Sequence, residues 1–230
     1  MDEDRFPSVE GVEGGGGMAQ RLVAGEEIER FWGDRLEGES ASARSGSGRR
    51  VLGIDPGTRV LGYGVVEGDG RGDPRLVAVG SFRVQRAGDD YARLMAIQQC
   101  VHALIERYAP RVCAIEAPFF GKNAQSMLKL GRAQGVAIAT MVECGLEVQE
   151  YAPRKVKIAV TGCGDATKEQ VKGVLSGLYK GAEIAGLEDF DSTDALAVAL
   201  CHHYEGRVVG RTGKGSWSDF VAKHPDRVRQ

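Results

Sequence analysis

No apolar run in this 230-residue sequence approaches the ~20 residues that a membrane-spanning helix needs. An integral membrane protein is therefore not expected. The N-terminal stretch is acidic and Gly-rich and has no apolar segment of the kind a signal peptide carries, so cytoplasmic residence is the expectation. Cysteine pairs at metal-ligand spacing are missing as well. The five cysteines, Cys100, Cys113, Cys144, Cys163 and Cys201, are odd in number and none stands in a C-x-x-C pair, which argues against both a zinc site and a disulfide framework. Cys113, Cys144 and Cys201 lie among apolar residues and are expected as small core side chains. The four histidines form no ligand pattern; His202 and His203 end a helix-like run, where a role at the helix terminus is expected. An excess of positive charge is also lacking, since the net charge is −2. Its distribution says more than its sum. Residues 1–49 carry −5, residues 50–204 are neutral, and residues 205–230 carry +3. A neutral central region that spends carboxylates on a metal site still has cations left for a DNA-facing surface.

What is present divides the chain into three parts. Residues 1–49 contain Gly14 to Gly17 and a Ser/Gly/Ala stretch from Ser40 to Gly48, and are expected as a flexible extension holding one short amphipathic helix over 22–36. Met18 is a conceivable alternative start. Residues 50–204 carry the patterned elements, and residues 205–230 form a basic tail. Val51 to Ile54 is an apolar run stopped by Asp55-Pro56-Gly57, and Val60–Glu67 and Leu76–Val84 complete an antiparallel meander. A helix is predicted over 91–108, a buried strand over 112–115 ending in Glu116, a long helix over 123–144 and a strand over 146–151. Pro153 then opens a short helix. Thr167-Lys168-Glu169-Gln170 is a capping box, and an almost wholly apolar helix follows Asp191 and Asp194. This order implies an α/β fold in which a mixed sheet carries helices on both faces.

Four carboxylates fall at the ends of buried elements. Singly, each has an ordinary explanation: Asp55 in a turn, Glu116 at a strand end, Asp191 and Asp194 at a helix N-terminus. Together they form a pattern. If the strands ending in Asp55 and Glu116 are parallel neighbours, as a right-handed crossover through helix 91–108 makes natural, their carboxylates meet at one sheet edge. Asp191 and Asp194, three apart, share one helix face. Clustered carboxylates repel one another unless a proton or a cation intervenes, and an all-oxygen set suits Mg²⁺ or Mn²⁺.

The same residues resemble those of a known family. Leu52-Gly53-Ile54-Asp55-Pro56-Gly57-Thr58-Arg59 with Gly62-Tyr63-Gly64-Val65 is similar to the opening of the RuvC-type Holliday junction resolvases. Ile115-Glu116, Phe119 and Lys122-Asn123-Ala124 resemble their second motif. Leu128 to Arg132 with Gly135 to Ile138 resembles the helix that follows, Tyr151 to Lys157 and Lys168 their basic segment, and Asp191 to Ala197 their last acidic motif. The similarity is collinear from about residue 50 to about residue 204. It implies an RNase H-like five-stranded fold, a homodimer, and Mg²⁺-dependent symmetric cuts leaving 5′-phosphate and 3′-hydroxyl ends. It also implies work alongside the RuvAB branch-migration complex in recombinational repair. By position it makes Asp55, Glu116, Asp191 and Asp194 the metal ligands, places Lys157 and Lys168 near the scissile phosphate, and gives Phe119 to unpaired bases. The two extensions have no counterpart in it.

Lys122, Arg154, Lys157 and Lys168 are candidates for DNA contact, whereas Lys129 and Arg132 are equally well explained as a solvated helix face. Phe120 is expected to pack. The run from Gly135 to Val142 is apolar or small on every side, with Gly131, Gly135 and Ala139 at every fourth position, so a second surface should cover it: a second copy of the chain, or one of the extensions. Three other functions share parts of the pattern. A sugar kinase or actin-like ATPase also opens with Asp-x-Gly-Thr but needs a duplicated domain. A YqgF-type relative acting on RNA shares the first Asp motif but does not call for the basic segment 151–157 or the Phe119 loop. A junction-binding protein without activity would not require all four carboxylates.

Overall fold

In the computed structural model, residues 48–69, 72–118, 123–180, 184, 187 and 189–211 are described, the last six by backbone alone. The expected helix over 22–36, Phe119, Phe120, Lys122 and the tail beyond Arg211 lie outside them. The strands are β1 (Arg49–Pro56), β2 (Leu61–Gly68), β3 (Arg75–Phe82), β4 (Val112–Glu116) and β5 (Glu147–Tyr151). They form one mixed sheet in the order β3-β2-β1-β4-β5. The meander β1-β2-β3 is antiparallel, whereas β4 lies parallel to β1 and β5 parallel to β4. The helices are α1 (Asp90–Tyr108), α2 (Ala124–Glu143), α3 (Pro153–Thr161), α4 (Lys168–Leu178) and α5 (Asp191–Arg211).

Side-chain alternation along the strands assigns each residue to a face. Val51 on β1 and Val112 and Ala114 on β4 join a cluster with Val156, Val171, Leu175 and the buried run Leu196–Cys201. One face is thus covered by α5, with α3 and α4 packed on it. On the other, α2 crosses β1 and β5, and α1 packs on α2. This is the expected mixed sheet with helices on both faces.

Local signals explain most element ends. Asp89 caps α1, Asn123 caps α2 by accepting from the N–H groups of Gln125 and Ser126, and Thr167 and Gln170 form the reciprocal capping box of α4. Three details differ from expectation. The third strand stops at Phe82, and Val84 begins a 3₁₀ turn (Val84–Ala87). The last helix runs through Tyr204 to Arg211, and His202 and His203 lie inside it instead of ending it. They do not cap: His202 Nδ1 is 2.8 Å from the Tyr151 hydroxyl, and His203 Nε2 is 3.2 Å from the carbonyl of Gly72. His202 thus ties the helix sideways to β5 and His203 ties it to the β2–β3 connection, roles invisible in a local pattern.

Candidate active site

Strand register brings the first two carboxylates together. Ile54 pairs with Ile115 in the parallel β1–β4 ladder, so Asp55 and Glu116 each stand one residue beyond the same pair. Asp55 shares its face with Gly53, and Glu116 shares its face with Ala114, which makes both project toward α5. The start of α5 lies directly on that face because the strands beneath it carry glycine. A methyl group at Gly53 would overlap the carbonyl oxygen of Ala195, one at Gly62 would overlap the carbonyl of Asp191, and one at Gly64 would come within 2.5 Å of Leu196 Cα. These glycines let the helix backbone settle onto β1 and β2 with Asp191 and Asp194 beside Asp55.

The grouping has electrostatic consequences. Burial, then the charges of Asp191, Asp194 and Glu116, push Asp55 up to about 7 from its ordinary 3.8. Glu116 is raised by burial and by Asp194, against the opposing charges of Lys168 and Lys157. Asp191 is raised by burial and by Asp189. Burial works against the charge on Lys168, but its hydrogen bond to Asp194 and the fields of Asp194, Asp55 and Asp191 hold it above the ordinary lysine range. Its ammonium donates to Asp194 Oδ2 and also lies 5.9 Å from the Phe190 ring centroid. The structure therefore gathers Asp55, Glu116, Asp191 and Asp194 with Lys168, and brings the charge of Lys157 to bear on Glu116. Arg154 lies over the Gly162-Cys163-Gly164 turn, where a Cβ at Gly164 would come within 2.7 Å of its Nε.

Two positioning residues escaped sequence reasoning. Asp189 accepts from the Ser192 N–H at 3.0 Å and its hydroxyl at 2.7 Å, while its other oxygen accepts from the Ser81 hydroxyl of β3 at 2.6 Å. Capping is thus the work of Asp189, and Asp191 and Asp194 are left to the site. Gln134, buried on α2, donates to the backbone carbonyl of Glu116 at 2.8 Å and fixes the end of β4. Its one available signal was an amide in the midst of small and apolar residues.

Among the described residues, no three His, Cys, Asp or Glu side chains stand close enough to enclose an ion as they are placed. The donor chemistry nonetheless fits a hard divalent cation: four carboxylates, three of them raised by burial and neighbouring negative charge, and no sulfur or imidazole among them. Such a set is compatible with metal-assisted phosphoryl transfer.

A family model described as crossover junction endodeoxyribonuclease RuvC matches residues 51–202. The chain belongs to the RuvC family. The crossover junction endodeoxyribonuclease RuvC of Bacteroides fragilis is 47 % identical over 180 residues, covering 78 % of this chain and 95 % of that protein. Its counterpart in Porphyromonas gingivalis is 44 % identical over 185 residues, covering 79 % and 97 %. Thermus thermophilus RuvC, solved in complex with a Holliday junction substrate, superposes with a TM-score of 0.60 at 32 % identity over 70 % of this chain and 96 % of that one. A yeast mitochondrial Holliday junction resolvase, 14 % identical, shares the fold at a TM-score of 0.57 over 76 % of this chain and 84 % of its own. Membership makes this RuvC-family chain a DNA endonuclease, and the four carboxylates all lie inside the matched span.

Proposed function

We propose that the protein resolves Holliday junctions, cutting two symmetry-related strands by Mg²⁺-dependent phosphodiester hydrolysis during homologous recombination and DNA repair. The observation that carries this reading is the convergence of Asp55, Glu116, Asp191 and Asp194 on one sheet face in a fold shared with a junction-bound relative. These four carboxylates would hold the metal, with Mn²⁺ able to substitute for Mg²⁺. When bound, the ion supplies Lewis acidity toward the phosphate and the attacking water. Water adds to phosphorus, the P–O3′ bond breaks, and the proton balance leaves a 5′-phosphate and a 3′-hydroxyl. Lys168 and Lys157 hold the scissile phosphate beside the carboxylates. Arg154, Phe119 and Lys122 are assigned to DNA on the resemblance, with Phe119 stacking on an unpaired base at the crossover.

Two cuts related by a twofold axis call for two sites so related, which an isologous dimer supplies. The face of α2 turned away from the sheet supports one: Leu128 and Val142 are 65 % and 59 % exposed, and Gly131, Gly135 and Ala139 lie exposed between them. Work beside the RuvAB complex in the cytoplasm completes the reading; no helix among the described residues is long and apolar enough to cross a membrane. The test is cleavage of a synthetic four-way junction with Mg²⁺, with Mn²⁺ and with chelator. Paired nicks at symmetric positions are expected with either metal and none with chelator. Cutting that survives chelation, or a preference for structured RNA, would overturn the proposal.

A further inference from the structure

On the sheet face opposite Lys157 and Lys168, a pocket opens between the first turn of α1 and the middle of α2. Thr58, three residues past Asp55, and the buried Ile97 and Ala133 are among its lining residues. Tyr91, Arg93, Lys129 and Arg132 line the rest. The charges there do not balance. Asp90 takes an ion pair from Lys129 at 2.9 Å and another from Arg93 at 3.4 Å, and Arg132 adds a third positive charge to the surroundings of the same carboxylate. The neighbouring Asp89 is turned to the helix N-terminus, where it accepts the Ala92 N–H at 2.8 Å. Three cations against the carboxylates of Asp90 and Asp89 still leave an excess of positive charge that an anion would relieve. Beside them Tyr91 is 78 % exposed and presents a ring face to solvent at the pocket.

We propose that this pocket binds a second backbone phosphate of the junction, with Arg132 and Lys129 as its ligands and Tyr91 packed against the adjoining nucleotide. The proposal rests on the reading of the chain as a junction nuclease. Its force lies in placement. Lys157 and Lys168 would hold the scissile phosphate on the α5 side of the end of β1. The pocket lies on the α1–α2 side of that same end, next to the exposed α2 face on which Leu128 and Gly131 sit. A strand held at both points crosses Asp55 and is led toward the twofold face. Phosphate contacts of this kind fix register and orientation without reading sequence.

The test uses the full-length chain and a synthetic four-way junction in which single linkages near the cut carry a neutral methylphosphonate. Neutralising one non-scissile linkage should weaken binding by the parent protein several-fold. Arg132→Ala should weaken binding to the unmodified junction, lower the slope of log affinity against log salt by about 0.9, and be indifferent to methylphosphonate at that linkage. Tyr91→Ala should weaken binding with the slope unchanged. Both side chains are exposed, so thermal unfolding should match the parent. If Arg132→Ala keeps the parent's affinity and slope, or remains sensitive to every linkage as the parent is, the pocket does not hold phosphate. A parent protein that neither binds nor cuts the unmodified junction would instead remove the junction reading itself, and this proposal with it.

Discussion

Asp55 pays for its position in folding stability. Its carboxyl sits among three others in a partly buried site and is held near 7, so at neutral pH its ionised form is a strained charge. Below about pH 4 the group is protonated in folded and unfolded chains alike, and its neutral form favours the folded state in full. That contribution is lost as pH rises through 7. Asp55→Asn stays neutral throughout. Between pH 4 and pH 8 it should therefore gain roughly 2–4 kcal/mol over the parent, since a tenfold displacement of a proton equilibrium is worth about 1.4 kcal/mol. Urea midpoints at the two pH values measure this. A difference that does not change with pH would show Asp55 to be solvated. Saturating Mg²⁺ should narrow the gap at pH 8 by stabilising the parent. The same variant, like Glu116→Gln and Asp194→Asn, should lose junction cutting yet keep junction binding, because affinity comes mainly from cations on phosphates. All four carboxylates were legible in the sequence as acids at the ends of buried runs. Asp189 was not. Nothing local separates it from Asp191, and what decides is a hydroxyl on Ser81, 108 positions earlier in the chain.

Among the elements, α5 explains itself only with the sheet in place. Its apolar run is buried all round, between β1 and β2 below and α3 and α4 beside it. The sequence shows that such a helix must be enclosed, but the device that lets it approach, a row of glycines on two strands, looks from sequence like ordinary strand weakness. Gly53→Ala tests the device. The added methyl meets the Ala195 carbonyl oxygen and Ala199, backbone and packed core that cannot swing aside. A cost of about 2–3 kcal/mol is expected, with an unfolding midpoint lower by roughly 5–10 °C. Cleavage should fall further than the loss of stability accounts for, since the helix that carries Asp191 and Asp194 is lifted from Asp55. Asp189→Ala loosens the same helix start from the other side. It should cost about 1–2 kcal/mol, the range of a lost cap, and slow cutting while junction binding persists. Asp189→Asn keeps one acceptor for the Ser192 N–H and should restore most of both. Equal cutting by Asp189→Ala and parent, at a temperature where both are folded, would make Asp189 a stabilising residue only.

At the scale of the whole molecule, the proposed dimer rests on α2. Its run from Gly135 to Val142 is apolar or small on every side, and the sequence left open whether a second copy or an extension covers the outer surface. The structure resolves that run into two faces. Ala133, Ala137, Thr140 and Met141 are buried against the protomer, while Leu128, Gly131, Gly135, Ala139 and Val142 point away from it. A Cβ built on Gly131 or Gly135 meets nothing within 4 Å among the described residues, so neither glycine is required by packing against them. Glycine in mid-helix costs about 1 kcal/mol relative to alanine, and two of them four positions apart would be uncompensated unless another backbone, a second copy's or an extension's, comes close. Gly135→Glu separates the two demands. It should fold with at least the stability of the parent protomer, since the side chain enters open space and helix propensity improves. It should also sediment as a monomer at micromolar concentration, because a charge would then stand where the partner helix approaches. Its cuts on a four-way junction should appear as single nicks on separate binding events. A Gly135→Glu protein that remains a dimer would place the twofold contact elsewhere on the fold, and a monomer that still makes paired symmetric cuts in one encounter would overturn the dimer itself.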